Sequence, residues 1–453
     1  MICNRIPVLL AVCAIGLLAG CATQPAPQRP PNFIVILVDD LGYGDTGTYG
    51  STRNNTPHID RLAREGLRFT DFHSNGPMCT PTRAALLTGR YQNRLGQAFE
   101  SPLGADDKGL PLEQITLAEA LAEAGYVSGA FGKWHLGRFP PWLPTSQGFE
   151  EFWGLGSGDG DHHSHMDRSG RKDWWHNDES KMETGYTAEL ITDHSIDFIE
   201  RNKDRPFFLY MPHLAIHFPW QGPGDEGYRV EGGDYHNLTK LGYFEDDKDP
   251  SGKVKNMVEA VDRSVGRIVD AVKANGLAES TLIIFTSDNG GYLTYQGGYH
   301  NISSNGPLRG QKTQVYEGGI RVPAIAWWPG RIEPGVADDL TASFDLFPTF
   351  LDLAGLGARH DLALDGTNLT SLLFDHEPVP ARTIFWRMRD HRAVRQGPWK
   401  LVALGDTAPE LYNLENDIGE TTNLAVERSE LTHQLLTDLK AWEADVEPDE
   451  ATP

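Results

Sequence analysis

Cys79 opens the run Cys79-Thr80-Pro81-Thr82-Arg83 and has no cysteine to pair with, because Cys3, Cys13 and Cys21 all fall in the first 21 residues. No intramolecular disulfide can therefore form in the body of the chain. The apolar pattern Ala84-Ala85-Leu86-Leu87 follows directly, so the thiol sits at a helix start, with Thr80 read as the cap and Pro81 as the first helical residue. Orphan N–H groups at such an end favour an anion, and Arg83 adds a fixed cation within the first turn. A lone cysteine in that setting is a candidate reactive group, against the plainer reading of a small buried core residue. A second set is Asp39, Asp40, Asp288 and Asn289. Carboxylates and an amide without His or thiolate suit Ca²⁺ or Mg²⁺ rather than zinc. Asp-Asp or Asp-Asn-Gly alone is an ordinary turn or cap. A third, Lys133-Trp134-His135, sets a cation and an imidazole two residues apart, on one side if the chain is extended.

These groups need elements to bring them together. The run Phe33-Ile34-Val35-Ile36-Leu37-Val38 reads as a buried strand over Asn32 to Val38 that ends on Asp39-Asp40. Thr281 to Ser287 repeats the pattern and ends on Asp288-Asn289-Gly290-Gly291. Further strands are expected at Val127 to Phe131, Phe207 to Met211 and Ala324 to Trp327, with helices at Leu117 to Ala124 and Val258 to Asn275. Alternating strands and helices predict an α/β fold, a large mainly parallel sheet sandwiched by helices. Sites in such sheets form at the carboxyl ends of strands, so two apolar strands each ending in oxygen-bearing side chains predict one shared site. After about residue 375 a hairpin or edge strand over Arg392 to Leu404, another strand at Glu410 to Leu414 and an amphipathic helix over about Glu427 to Val446 predict a smaller α+β C-terminal domain. The expected division is 1–20 leader, 21–31 tether, 32–375 catalytic domain and 376–453 C-terminal domain.

Hydrophobic and charged fractions of 39% and 23% are those of a soluble globular protein. The formal net charge of −23 argues against nucleic acid as a partner. Any anionic ligand must then meet a local cluster of cations inside a negative surface. The apolar run from Ile6 to Leu18, preceded by Arg5 as its one charge, is too short for a transmembrane span and reads as a secretory signal. Leu18-Ala19-Gly20-Cys21 resembles the bacterial lipobox, in which the cysteine is lipidated, and Ala22 after it implies sorting to the outer membrane. The Pro- and Gln-rich stretch from Ala22 to Pro31 reads as a flexible tether.

Cys79-Thr80-Pro81-Thr82-Arg83, followed by Leu87-Thr88-Gly89-Arg90, resembles the segment of type I, formylglycine-dependent sulfatases, of the alkaline phosphatase superfamily. The resemblance extends through Gly132 to Gly137, Ile216-His217-Phe218-Pro219, Leu308 to Lys312, Glu317 to Pro323 and Leu411 to Leu424, and is of the arylsulfatase and N-acetylgalactosamine-6-sulfatase-like polysaccharide sulfatase kind. It implies that Cys79 is converted by a maturation enzyme to formylglycine (3-oxoalanine), whose hydrate is a geminal diol. One hydroxyl attacks sulfur and displaces the alcohol; the second then loses its proton and expels sulfate. It implies that Asp39, Asp40, Asp288 and Asn289 hold Ca²⁺, or Mg²⁺, together with residue 79. By the same resemblance Lys133 and His217 contact the sulfate, His135 binds or relays a proton on the formylglycine hydroxyl, and Lys312 protonates the leaving oxygen. Arg83, Lys133 and Lys312 would together stabilise the developing charge. Glu317 to Pro323 reads as architecture, with two glycines in a tight turn and Arg321 in an internal ion pair.

Specificity is expected in Phe139 to Tyr186, which holds Trp142, Trp153, Trp174 and Trp175 beside Asp161-His162-His163-Ser164-His165. Either the tryptophans form sugar platforms or the segment is a packed surface loop. Asp225 to Asp249 and Tyr292 to Asn305 are expected rims. Family and export signal together imply a lipid-anchored enzyme, on the periplasmic side or the cell surface, that desulfates polysaccharide-derived oligosaccharides. The alternatives are a phosphate or phosphonate monoester hydrolase of the same superfamily, and an unmodified protein that binds sulfated glycan.

Overall fold

The computed structural model describes residues 29–104, 106–237 and 248–447, together with Met1. The leader, Cys21 and most of the tether lie outside the described residues, as does 238–247 within the expected acidic rim.

The two apolar runs that end in acidic residues become neighbouring strands. Asn32–Val38 pairs in parallel with Thr281–Ser287 on one side and with Phe207–Pro212 on the other. The sheet continues in parallel through Val127–Lys133 to Glu151–Leu155. Its full order is Gly335–Ala337, Leu67–Phe69, Ala324–Trp327, Thr281–Ser287, Asn32–Val38, Phe207–Pro212, Val127–Lys133, Glu151–Leu155, Trp175–His176 and Glu179–Ser180. Ala324–Trp327 and the two short strands at the far edge run antiparallel to their neighbours.

Both faces of the central strand are apolar because both are covered. Ile34, Ile36 and Val38 pack with the helices Thr187–Asn202 and Ser251–Ala274. Phe33, Val35 and Leu37 pack with Cys79–Thr88, Leu117–Ala122 and Leu346–Leu353. Each such side chain contributes roughly 1.5–3 kcal/mol when fully buried, which explains a run that does not alternate. The start of Leu117–Ala122 is fixed by a capping box: the Thr116 hydroxyl accepts from the Glu119 N–H, and the Glu119 carboxylate accepts from the Thr116 N–H.

The C-terminal unit is a four-stranded antiparallel sheet of Thr383–Met388, His391–Gln396, Trp399–Leu404 and Glu410–Asn413. The helix Ser429–Val446 lays Leu435, Leu439, Trp442 and Val446 on that sheet. Their cluster also takes in Ala85, Tyr91, Tyr316 and Phe344 of the larger unit. A buried ion network crosses the same junction. Lys400 lies 2.9 Å from both Glu317 and Glu420, while Arg321 and Arg395 reach Asp71 and Glu317. Arg321 thus has its internal ion pair. Gly318 and Gly319 lie so close to the carbonyls of Gly310 and Gln314 that a Cβ would collide with them.

Candidate active site

Register puts the acidic residues side by side. Val38 pairs with Ser287, so Asp39 and Asp288 leave their strands at one level. Asp40 turns away in the left-handed region, at φ 62°, and its N–H donates to Asp288 Oδ1 at 3.2 Å. Leu37 pairs with Pro212, so the segment leading to His217 leaves the next strand at that same end. Lys133 closes the strand beyond. Four parallel strands therefore deliver their chemistry to one edge.

The Cys79 helix is aimed at that edge, and it starts earlier than its sequence suggests. It runs Cys79–Thr88 with Met78 as cap, so Pro81 is its third residue rather than its first. Thr80 does other work: its hydroxyl donates to the His135 carbonyl at 3.3 Å and accepts from the Leu103 N–H at 3.0 Å. Arg83 points back to the acidic edge. Its Nε and Nη2 donate to Asp288 Oδ2 at 3.0 and 2.8 Å, Nη2 also reaches Asp39 at 3.4 Å, and Nη1 donates to the Lys133 carbonyl. Lys133 Nζ donates to Asp39. Lys312 Nζ donates to Asp40 Oδ1 at 2.5 Å and to Cys79 Sγ at 3.1 Å, and Sγ lies 3.4 Å from Asp39 Oδ1. Lys133 and His135 do not share one extended run. His135 sits at φ 58°, so a turn after the strand swings its ring toward the thiol's cavity.

Electrostatics sort these groups. Burial, with Asp39 adding to it, pushes the Cys79 thiol up to about 12, so as a thiol it is neutral and a poor nucleophile. Burial works against the Lys312 ammonium, but Asp40 and Cys79 outweigh it and hold the group well above the usual lysine value. Burial, then Lys133, pushes both His135 and His217 well below the usual histidine range, so both imidazoles are neutral proton acceptors. Asp39 and Asp288 are raised by burial, against the pull of Lys133 and Arg83. Three buried carboxylates (Asp39, Asp40 and Asp288) face three buried cations (Arg83, Lys133 and Lys312).

The donor set fits a hard divalent cation. Asp39, Asp40, Cys79 and Asp288 bring ligand atoms within 4.8 Å of one another. Asn289 Nδ2 is used on Asp40 at 2.8 Å, which leaves its Oδ1 buried with no hydrogen-bond partner among the described residues. A buried amide oxygen without a donor is costly unless something positive meets it. Asp71, His73 and Glu317 also cluster, but Arg321, Arg395 and Lys400 already neutralise them.

Above this floor opens a cavity of about 420 Å³, with Cys79, His135, His217 and Lys312 below and Tyr292 and Tyr295 on one wall. The tyrosines come from the expected Tyr292 rim. Three of the four tryptophans are engaged in packing: Trp174 and Trp175 are buried, and Trp153 is stacked between His176 and His194. Trp142 is half-buried, with its carbonyl accepting from the Trp134 indole N–H, and none of the four lines the cavity. His162 bonds Thr187 and the His217 carbonyl, so it braces the site rather than holding a second metal. Arg168 and Asp159 also line the cavity and were not singled out in the sequence, where a loop arginine and a loop aspartate carry no pattern.

The chain is similar to known proteins over most of its length. The family model described as Sulfatase matches residues 31–356, and that described as N-sulphoglucosamine sulphohydrolase, C-terminal, matches residues 310–445. The chain is 34% identical to arylsulfatase A of Homo sapiens, over 94% of this chain and 89% of that protein. It is 36% identical to N-acetylgalactosamine-6-sulfatase of Canis lupus familiaris, over 84% of this chain and 73% of that one. Among solved structures, Ps i-CgsB in complex with k-i-k-neocarrahexaose superposes with a TM-score of 0.81 at 31% identity, over 93% of this chain and 94% of that one.

Proposed function

Given that this chain belongs to the sulfatase family and is a sulfuric ester hydrolase, we propose that it removes sulfate from sulfated carbohydrates, with oligosaccharides released from polysaccharide as the natural size class. The observation that carries this reading is the position of Cys79 Sγ, between Asp39 and Lys312 on the floor of a cavity with room for a sugar. In this reading a maturation enzyme converts Cys79 to formylglycine; left unmodified, the thiol would stay protonated and be a poor nucleophile. In the proposal the hydrated aldehyde would supply the nucleophilic hydroxyl, and Asp39, Asp40, Asp288, Asn289 and residue 79 would hold a Ca²⁺ ion (or Mg²⁺), which would supply positive charge for the sulfate oxygens.

This chain's own groups do the rest. Lys312 faces the cavity and would stabilise the charge that builds on the sulfate oxygens, while Lys133, buried on Asp39, adds positive charge behind the floor. Lys312, charged and beside residue 79, is placed to protonate the leaving alcohol oxygen. His135 and His217, both neutral, are placed to accept protons or hydrogen bonds from the nucleophile side. Arg83 touches no substrate; it locks Asp39 and Asp288 in place. Names of the relatives favour a sulfuric ester over a phosphoester. The export signal and a lipid anchor at Cys21 are part of the same proposal.

The test is sulfate release by the purified, aldehyde-bearing protein across defined sulfated oligosaccharides, with Cys79→Ala as blank. Release from at least one saccharide, absent in the blank, is expected, with the circular dichroism of the blank unchanged. Cleavage of 4-nitrophenyl sulfate alone, with every saccharide untouched, would overturn the carbohydrate assignment. A larger kcat/KM on 4-nitrophenyl phosphate than on 4-nitrophenyl sulfate would overturn the sulfatase assignment.

A further inference from the structure

The mouth of the cavity carries a charge that the chemistry on its floor does not use. Two arginines share Asp159: Arg229 reaches its Oδ1 at 2.8 Å, and Arg168 Nε donates to its Oδ2. Arg229 is buried, with side-chain exposure of 1%, and is enclosed by the carbonyls of Asp159 and Met166 and the rings of Tyr228 and Tyr235. It has no access to the cavity and serves to neutralise Asp159, whose carboxyl burial works to raise but Arg229, and then Arg168, hold below the usual value. Two guanidinium groups thus meet one carboxylate, which leaves the cluster one net positive charge, and Arg168 is the member that reaches the cavity. Its side chain is 28% exposed, it lines the cavity, and its two Nη groups have no hydrogen-bond partner among the described residues.

The guanidinium is also held in position. Asp159 fixes its Nε edge, and its carbon lies 5.1 Å from the centre of the Phe218 ring, next to His217 in the chain. The loop beneath is pinned by Asp167, which accepts the N–H groups of Ser169 and Arg171 at 2.7 and 2.9 Å. The other lysine and arginine side chains that line the cavity each have an acidic partner, as does His236. Arg138 pairs with Asp106 and Asp167, His236 with Asp234, and Lys312 belongs to the floor. A planar cation with two free donors, fixed by its far edge, is a fork for an oxyanion. In a chain of net charge −23, such a site must be built locally.

We infer that Arg168 is a specificity-determining residue that binds a second anionic group of the saccharide, a carboxylate or another sulfate, while the scissile sulfate occupies the floor. This rests on the carbohydrate sulfatase reading above and narrows its substrate to multiply anionic saccharides.

The experiment compares wild type with Arg168→Gln and Arg168→Lys, all bearing the aldehyde. The substrates are a singly sulfated disaccharide and matched disaccharides carrying one further sulfate or one uronate carboxylate. Arg229 still neutralises Asp159 in both variants, and matching thermal melts would establish that the fold survives. For Arg168→Gln, kcat/KM on one doubly charged substrate should fall about 10- to 100-fold more than on the singly charged one, mainly through KM. Arg168→Lys should keep part of the preference. Whichever doubly charged substrate loses the preference identifies the anion. Equal losses on all three substrates, with wild type active on saccharides, would overturn the inference and leave the carbohydrate assignment standing. Silence of the wild type on every saccharide would overturn both.

Discussion

Replacing Lys400 by methionine should cost the protein most of one buried ion pair, and the cost should depend on pH. Lys400 is fully buried on the strand Trp399–Leu404, with Nζ 2.9 Å from Glu317 and 2.9 Å from Glu420. Its two partners stand differently. Glu317 keeps His73 at 3.2 Å, Arg321 at 3.2 Å and Arg395 at 3.7 Å. Glu420 has Lys400 as its one cationic partner among the described residues, plus the N–H of Glu317 at 2.8 Å. Methionine therefore strands Glu420. Removing one member of a buried pair typically costs about 3–5 kcal/mol. Burial already raises the Glu420 carboxyl above the usual value, with Lys400 the main opposing influence. Without Lys400 that carboxyl rises further and takes up a proton in the folded state as pH falls. A raised folded-state pKa penalises stability at high pH and relieves it as pH drops through that value, at about 1.4 kcal/mol per unit. Urea unfolding should thus show a loss of about 3 kcal/mol or more at pH 8 and a clearly smaller one at pH 5. Lys400→Met/Glu420→Gln should recover most of it. A loss under about 1 kcal/mol at pH 8, an equal loss at both pH values, or a double variant no better than the single one would refute the reasoning.

Burial alone holds His213 at about 4, and burial above all holds His162 and His165 at about 4, against an ordinary 6.5. Depressed basic groups let the unfolded chain bind protons first, so stability should fall as pH drops from 6.5 to 4, by roughly 3 kcal/mol per histidine when complete. Melting temperature against pH should show this, with a shallower slope in His213→Asn; an unchanged slope would sink the assignment. Chelation should lower the melting temperature and excess Ca²⁺ restore it, since a ligand at 100 times its Kd stabilises by about 2.7 kcal/mol. Asn289→Leu, which removes the orphaned Oδ1, should abolish that response. Cys21→Ala should move the protein from the membrane to the soluble fraction of cells that export it; continued membrane association would dispose of the lipid anchor.

Much of the site was legible because its signals are local and chemical. Asn32–Val38 and Thr281–Ser287 begin and end where their sequences place them, since an uninterrupted apolar run stops where Asp begins. Cys79 stands out for having no partner and Lys133 and His135 for their spacing, while the family resemblance supplies their roles together with His217 and Lys312. The helix starts two residues before the Thr80-Pro81 signature places its first turn, because the fold uses the Thr80 hydroxyl to hold His135 and Leu103 rather than as a cap. The strand Thr383–Met388 was not anticipated; its Trp386 donates to the distant Ser74 carbonyl, a contact without a local signature.

The sequence by itself determined the kinds of group at the site and the strands that carry them, because periodicity and composition act over a few residues. Tertiary structure alone decided how charges pair. Arg168, Arg229 and Asp159 lie up to 70 residues apart in the chain, and nothing local tells which arginine neutralises the aspartate. The same holds for Trp174 and Trp175, which packing turned inward, and for Lys400, which only the docking of the C-terminal sheet buries against Glu317. Burial and pairing are properties of the assembled interior, and they set which groups are charged, neutral or free.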